Sequence, residues 1–117
     1  MKISALLLLC IVFASCGDIV SCGFLDNDEV CVTVLNQSGN KVNSLRVFHE
    51  DGQEKVLDIE NESQASITFK IAGESSFSLS ANLDNDELLE SRDVYIEGGF
   101  RRTAIVLRDT ITIVKSY

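Results

Sequence analysis

Strict alternation of apolar and polar residues is the feature that most constrains this fold. Residues 65–71 (Ala-Ser-Ile-Thr-Phe-Lys-Ile) and residues 77–83 (Phe-Ser-Leu-Ser-Ala-Asn-Leu) alternate without a break. A side-chain period of two places the apolar members on one face of an extended strand and the polar members on the other. Both stretches therefore predict β-strands with one face in a core and the other in water.

The chain from residue 30 onward predicts further strands separated by turns. Shorter strands are expected at residues 30–35, 45–48, 55–59, 93–96, 102–107 and 111–115. Turn-forming residues lie between strands at 38–40, 51–52, 72–73, 84–86 and 98–99. Turns about every 8 to 12 residues are typical of β-sandwiches and small barrels. We predict one all-β domain over residues 30–117, an antiparallel β-sandwich of about seven or eight strands.

The amino-terminal residues predict export. Lys2 precedes about a dozen apolar residues, and the run ends on the small residues Ala14 and Ser15. A cation, an apolar segment and small residues, in that order, are typical of a secretory signal peptide. The apolar run is too short to span a bilayer, which takes roughly 20 apolar residues.

The end of this segment carries a candidate lipidation site. Residues 13–16, Phe-Ala-Ser-Cys, resemble the bacterial lipobox, whose cysteine receives a diacylglyceryl group and becomes the mature amino terminus. Residues 19–22, Ile-Val-Ser-Cys, also resemble it, but they would place Asp18 inside the apolar segment, where an unpaired charge is costly. We predict a signal peptide at residues 1–15 and lipidation at Cys16, with Cys22 as the other candidate. The alternative is an ordinary signal peptide, whose cleavage would release a soluble secreted protein.

The four cysteines are expected to have three different roles. Cys10 leaves with the signal peptide and Cys16 is used for lipid, so Cys22 and Cys31 are left as a pair. Because exported chains meet an oxidising compartment, we expect these two thiols to form a disulfide. Cys31 alternates with three valines in its predicted strand, which places its thiol on the opposite face from theirs. Residues 16–29 would form a tether between the lipid and the domain.

Composition disfavours several classes of partner. The chain carries 18 acidic and 10 basic residues, a net charge of −8 with its histidine neutral. An acidic domain repels nucleic acid and anionic headgroups, so no nucleic-acid partner is expected. Tryptophan is absent and aromatic residues make up 7% of the chain, which disfavours stacking platforms for carbohydrate or single-stranded nucleic acid.

No motif predicts catalysis, and we expect a protein that is not an enzyme and has no cofactor or metal. His49 is the single histidine, and no nucleophile elbow or phosphate-binding motif accompanies it. The pentapeptide Leu-Asp-Asn-Asp-Glu occurs at residues 25–29 and 83–87, but without the glycine and distal glutamate of an EF-hand loop, so turns are favoured over calcium. Asn36 and Asn61 begin N-glycosylation patterns. Both are expected to be turn residues in a bacterial protein and surface sites in a eukaryotic one.

Residues 95–102, Tyr-Ile-Glu-Gly-Gly-Phe-Arg-Arg, are the candidate binding edge. They place Tyr95, Phe100, Arg101 and Arg102 around a double glycine, and aromatic and arginine side chains are enriched in interface hot spots. The alternative role is structural. In that case the two aromatic rings close one end of the sandwich and the arginines balance the acidic surface.

The succession of strands and turns resembles a family of known fold. Residues 32–39 (Val-Thr-Val-Leu-Asn-Gln-Ser-Gly), 45–47 (Leu-Arg-Val), 66–69 (Ser-Ile-Thr-Phe) and 93–100 (Asp-Val-Tyr-Ile-Glu-Gly-Gly-Phe) follow a lipobox. This pattern is similar to small bacterial lipoproteins with immunoglobulin-like or transthyretin-like β-sandwiches. The resemblance implies fold and location only, because members are mostly of unassigned function.

These observations together predict a non-enzymatic envelope lipoprotein. We expect it to be lipid-anchored at the outer membrane or periplasmic face of a bacterial cell, where its β-sandwich binds an unidentified protein. A soluble secreted inhibitor or immunity-type protein is the alternative.

Overall fold

The computed structural model describes residues 22–115 of the 117-residue chain. Within this range it has no helix long and apolar enough to cross a membrane. The described residues form nine β-strands: Glu29–Asn36 (β1), Val42–His49 (β2), Gly52–Ile59 (β3), Gln64–Lys70 (β4), Glu74–Leu83 (β5), Leu88–Glu90 (β6), Val94–Glu97 (β7), Arg101–Val106 (β8) and Ile111–Lys115 (β9).

The strands form two sheets that enclose one core. The four-stranded sheet has the order β4-β1-β8-β9, and the five-stranded sheet has the order β3-β2-β5-β6, with β7 also paired to β5. The predicted all-β sandwich is confirmed. Six of its seven strand pairings are antiparallel, but β1 pairs with β8 in parallel, which corrects the expectation of a wholly antiparallel arrangement. A parallel pair needs a long connection, and β2 to β7 lie between these two strands in the sequence.

The eight strands expected from alternation are confirmed, several of them longer than predicted. The ninth strand, β6, was not predicted. It has three residues, of which only Leu89 is buried, so it is too short to show an alternating pattern.

The core consists of the inward positions of both sheets. In β1 the β-branched residues Val30, Val32 and Val34 are fully buried, and such side chains pack well on a pleated surface. Across the core, Leu45 of β2 is also fully buried, and Phe77 of β5 is 1% exposed. The buried apolar residues of the two sheets form one continuous cluster, so the sandwich has a single hydrophobic core.

The two ends of the sandwich differ in the segments they carry. We call the end where β1 begins the leader end. Hydrogen bonds there join β1 and the residues before it to two turns, through Ile71 N–H to Asp28 O at 2.8 Å and Gly99 N–H to Glu29 O at 2.6 Å. The far end holds the turns at residues 37–41, 60–63, 84–87 and 107–110.

Candidate functional site

A disulfide fixes the start of the described chain on the leader end. Cys31 of β1 is fully buried, and it is bonded to Cys22 with the two Cα atoms 6.2 Å apart. This separation lies in the usual range for disulfides. The predicted Cys22–Cys31 pair is confirmed, and the thiol of Cys31 does point away from the face occupied by the valines of β1.

The segment at residues 22–28 is held on the leader end by more than the disulfide. Arg101 donates from Nη2 to the carbonyl oxygen of Gly23 at 2.5 Å. Gly98, in the turn between β7 and β8, lies so close to the backbone of Asn27 that a Cβ atom there would overlap the Asn27 carbonyl. The chain therefore follows the end of the sandwich before it enters β1, and only a residue without a side chain fits at position 98.

Three of the four predicted binding residues come together in one cluster beside this segment. The rings of Tyr95 and Phe100 meet edge to face with centroids 6.3 Å apart. The guanidinium of Arg102 lies 4.5 Å from the centre of the Phe100 ring, within the range of a cation–π contact. Phe100 packs against the core, so the cluster covers the edge of the apolar interior.

Arg101 does not join that cluster. Adjacent residues of a strand point to opposite faces, so Arg102 lies over Phe100 while Arg101 turns to Gly23. Phe100, Arg101 and Arg102 are half-buried in contacts within the domain, whereas the Tyr95 side chain is 51% exposed. These contacts fit the structural role set out for the two aromatic residues, and they leave Tyr95 as the member most open to a partner.

The Tyr95 hydroxyl has an acidic environment. It donates to Glu97 Oε1 at 2.5 Å. That hydrogen bond stabilises the neutral phenol and is the main reason why the pKa of Tyr95 is raised to about 12, with desolvation and the nearby Glu74 carboxylate contributing in the same direction.

His49 lies at the end of β2 with its ring inside the sandwich. The ring stacks on Phe69 at a centroid distance of 4.5 Å, and its side chain is 3% exposed. Nε2 lies 3.1 Å from Glu54 Oε2, and Nδ1 has no hydrogen-bond partner among the described residues. The imidazole therefore contacts a carboxylate and an aromatic ring. The hydroxyl-bearing residues Ser76 and Ser78 of the neighbouring strand β5 are on the outward face of the sheet, whereas the imidazole is on the inward face.

Asn36 is a buried polar residue that the sequence patterns did not single out for this role. Its Nδ2 donates to the carbonyl oxygens of Asn40 at 2.8 Å and Ile59 at 2.9 Å, and its Oδ1 accepts from the Ser38 hydroxyl at 2.7 Å. The surface glycosylation site expected at Asn36 for a eukaryotic protein is contradicted, because the residue is fully buried at the end of β1. Asn61 is exposed. The position of Asn36 between an alternating strand and a Ser-Gly turn is the sequence signal for this role, because asparagine side chains there often hydrogen-bond to nearby backbone groups.

A cleft of about 530 Å³ opens beside this network at the far end. Among the described residues that line it, Glu62 is the one titratable group, so the cleft offers amide and backbone hydrogen bonds rather than an acid–base pair. Its lining comprises Leu35, Asn36, Gln37, Gly39, Asn61, Glu62, Ser63 and Gln64.

The two acidic pentapeptides form turns. In the first, Asp26 N–H donates to Glu29 Oε1 at 2.9 Å, and in the second, Glu87 N–H donates to Asn85 Oδ1 at 3.1 Å. Within residues 22–115, no three histidine, cysteine or carboxylate side chains come together in a group that could hold a metal ion. Cys16 and the predicted signal peptide lie outside the described residues.

Comparisons with known proteins identify a fold but no family. No protein-family model and no curated protein matches the sequence. A protein from Eubacterium rectale, solved by NMR, has a TM-score of 0.63 at 15% identity, over 80% of this chain and 97% of its own. The T6SS lipoprotein TssJ1 from Pseudomonas aeruginosa has a TM-score of 0.45 at 8% identity, over 79% and 98% of the two chains.

A non-hemolytic pneumolysin from Streptococcus pneumoniae also matches, with a TM-score of 0.43 at 13% identity. This chain corresponds to 24% of that protein's length. The likeness to the Eubacterium rectale protein shows a shared small all-β fold. At these identities no activity is transferred from any of the three proteins.

Proposed function

We propose that this protein is a non-enzymatic lipoprotein of the bacterial envelope, held at a membrane by a lipid on Cys16, whose β-sandwich binds another protein. The Cys22–Cys31 disulfide carries the proposal. Disulfides form and persist in oxidising compartments, which supports export. The bond also uses the thiol of Cys22, the second lipobox candidate, and so favours Cys16 as the acylated residue.

The disulfide also limits how far the domain can stand from the membrane. Five residues, 17–21, separate Cys16 from Cys22 in the sequence. A chain from Cys16 to Cys22 spans at most about 20 Å when fully extended. Lipid on Cys16 would therefore hold the leader end near the bilayer surface and direct the turns of the far end away from it.

Tyr95 is the residue of the binding edge that contacts the partner in this proposal. Its ring is half exposed, while Phe100, Arg101 and Arg102 are engaged within the domain. Aromatic residues with a polar tip are favoured at protein interfaces because they combine apolar contact with a hydrogen bond.

Labelling with palmitate followed by cell fractionation tests the anchor. The full chain should incorporate label and sediment with membranes, and Cys16→Ser should lose both properties. Cys10→Ser is the matched control, because that residue lies within the predicted signal peptide and should behave like the unmodified chain. Recovery of the mature protein in the culture medium, with the mass of an unmodified polypeptide, would contradict the anchor and favour a secreted inhibitor or immunity-type protein.

The binding edge is tested separately by site-specific photocrosslinking in living cells. A photoreactive residue at position 95 should crosslink to a different protein, giving a product whose mass is not that of two copies of this chain. The same residue at position 114, which is exposed on the outer side of the other sheet, should not form that product. Equal crosslinking from the two positions would argue against Tyr95 as the contact.

A further inference from the structure

The outer face of the five-stranded sheet carries most of the exposed large hydrophobic residues of the described chain. Six large hydrophobic residues are exposed within residues 22–115, and four of them, Phe48, Leu57, Leu88 and Tyr95, belong to β2, β3, β6 and β7 of this sheet. Their exposed fractions run from 39% to 57%. Polar residues separate them, since Ser44 and Asn82 lie between Leu57 and Leu88, so they offer separate apolar contacts rather than one continuous patch.

Strand pairing arranges these residues in cross-strand rows. Leu57, Ser44, Asn82 and Leu88 are paired in sequence across β3, β2, β5 and β6, and we call them the leucine row. Because Leu45, Ala81 and Leu89 at the adjacent positions are buried, the leucine row faces outward.

A second row runs parallel to it across the same four strands. Lys55, Arg46, Ser80 and Glu90 are paired in that order, and we call them the charged row. The row has two cations at one side and a carboxylate at the other. Lys41 forms ion pairs with Asp58 and Glu60, and among the described residues no ion pair includes a member of the charged row.

We propose that this face binds the same face of a second copy of the chain, about a twofold axis parallel to the strands. Such an axis reverses the order of strands, so β3 lies opposite the partner's β6 and β2 lies opposite the partner's β5. Leu57 then meets the partner's Leu88, and Lys55 meets the partner's Glu90. Each contact occurs twice, as an isologous interface requires.

Phe48 supplies a third matched contact. It pairs with Ser78 of β5 and is 39% exposed. The twofold axis carries it over the partner's Ser78, where a shallow depression of about 250 Å³ is lined by the second copy's own Phe48, His49, Glu50, Ser76, Ser78 and Asp93. The small serine side chains of β5 leave the space that an aromatic ring from the facing sheet would fill.

The charged row places opposite charges against each other where the two copies meet. With a net charge of −8, two copies repel each other over most of their area. On the charged row, Arg46 and Lys55 reverse the local sign, and each lysine would meet a carboxylate of the second copy. The pairing thus removes the like-charge contact that would otherwise oppose a dimer.

The size of the face fits a weak dimer. Four strands about 4.8 Å apart, over five residues of about 3.4 Å each, cover roughly 20 by 20 Å of each copy. Two such faces bury roughly 800 Å² in total, which is below the roughly 1,000 Å² of a stable specific interface and in the range of weak, transient contacts. A dissociation constant in the micromolar range is therefore expected rather than a permanent dimer.

Exchange of the opposed charges tests the proposal. Sedimentation of the purified mature protein, in density-matched detergent if it carries lipid, gives the dimer dissociation constant for the unmodified protein, Lys55→Glu, Glu90→Lys and the double variant. Each single reversal should weaken the dimer at least about tenfold, because it creates two repulsive contacts. The double variant should recover to within about threefold of the unmodified protein.

Lys70→Glu is the control, since Lys70 is an exposed lysine of the other sheet and should leave the dimer unchanged. Thermal unfolding of each variant verifies that the fold is kept. A monomer at about 100 µM would overturn the proposal, as would a double variant no better than the single ones or an equal effect of Lys70→Glu. The inference does not depend on lipidation, because Cys16→Ser should dimerise equally well.

Discussion

Substitution of Gly98 by alanine should loosen the leader end of the sandwich. A Cβ atom at this position would overlap the carbonyl oxygen and carbon of Asn27 and approach the Cα of Asp28 to 3.1 Å. These are backbone atoms, so no side-chain rotation relieves the overlap. The segment at residues 22–28 must move, and the hydrogen bonds that hold it must lengthen or break.

The expected loss follows from the bonds at risk. Ile71 N–H to Asp28 O and Gly99 N–H to Glu29 O join this segment and the start of β1 to two turns. Each such bond contributes about 1 kcal/mol net, so the variant should lose about 2–3 kcal/mol of unfolding free energy with the displaced contacts included. For a domain of this size that loss lowers the melting temperature by roughly 10–20 °C.

Thermal unfolding followed by circular dichroism measures this loss, and Gly73→Ala is the matched control. Gly73 has a φ of +68° and open space around its Cα, so alanine there meets a backbone penalty of about 1 kcal/mol without any overlap. Gly98 has no such φ, and its penalty comes from the overlap alone. The alanine at 98 should therefore cost about two to three times as much as the alanine at 73.

A double-mutant cycle with Cys22→Ser shows whether the overlap acts through the leader segment. Without the disulfide this segment can move away at little further cost, so the two substitutions together should destabilise by less than the sum of their separate effects. Full additivity would refute the reasoning. So would a melting temperature for Gly98→Ala within about 2 °C of the unmodified protein.

Three further predictions concern single side chains. Cys22→Ser opens a loop of about ten residues and should lower the unfolding free energy by about 2.7 kcal/mol, a loss that reductant should reproduce in the unmodified protein. The tyrosinate absorbance should show a step near pH 12 that is absent in Tyr95→Phe and shifts down in Glu97→Gln. Because the folded pKa exceeds the unfolded value of about 10, this contact stabilises fully below pH 10 and is lost as the pH rises toward 12. Asn36→Ala should cost about 2–4 kcal/mol in chemical denaturation, since it removes the buried hydrogen bonds to the Ile59 carbonyl and from the Ser38 N–H, while exposed Asn61→Ala should cost under about 1 kcal/mol.

Most strands could be predicted because alternation is a local property. Each of residues 65–71 and 77–83 carries its pattern without reference to the rest of the chain, and both are strands in the structure. Strand partners are not local. Cys31 of β1 pairs with Arg101 of β8, seventy positions later, and the residues of neither strand indicate that the pairing is parallel. Strand β6 was not predicted for a similar reason. Its three residues form a strand by pairing with β5, and a local pattern does not show that pairing.

The contacts among residues 95–102 could be predicted in part for a related reason. Tyr95 and Phe100 are close in sequence and meet in space, as expected from a short turn. Arg101 and Arg102 look like one basic cluster in the sequence, but adjacent strand residues face opposite ways, so one holds Gly23 and the other covers Phe100. The pair therefore contributes to two separate contacts.

The proposed dimer face shows how strand order gives meaning to residues that looked unremarkable. Leu88 has no apolar partner at helical spacing, and Leu57 directly follows Val56 in β3 without alternation, so neither predicts a surface in the sequence. The order β3-β2-β5-β6 sets them at the two ends of one row, with Lys55 and Glu90 at the two ends of the next. A twofold axis places one end of each row against the opposite end of the same row in the second copy, so the two ends must be complementary. The leucine row and the charged row both meet this condition with the axis in one position. That double match, rather than exposure of any one residue, is the reason to expect a second copy on this face.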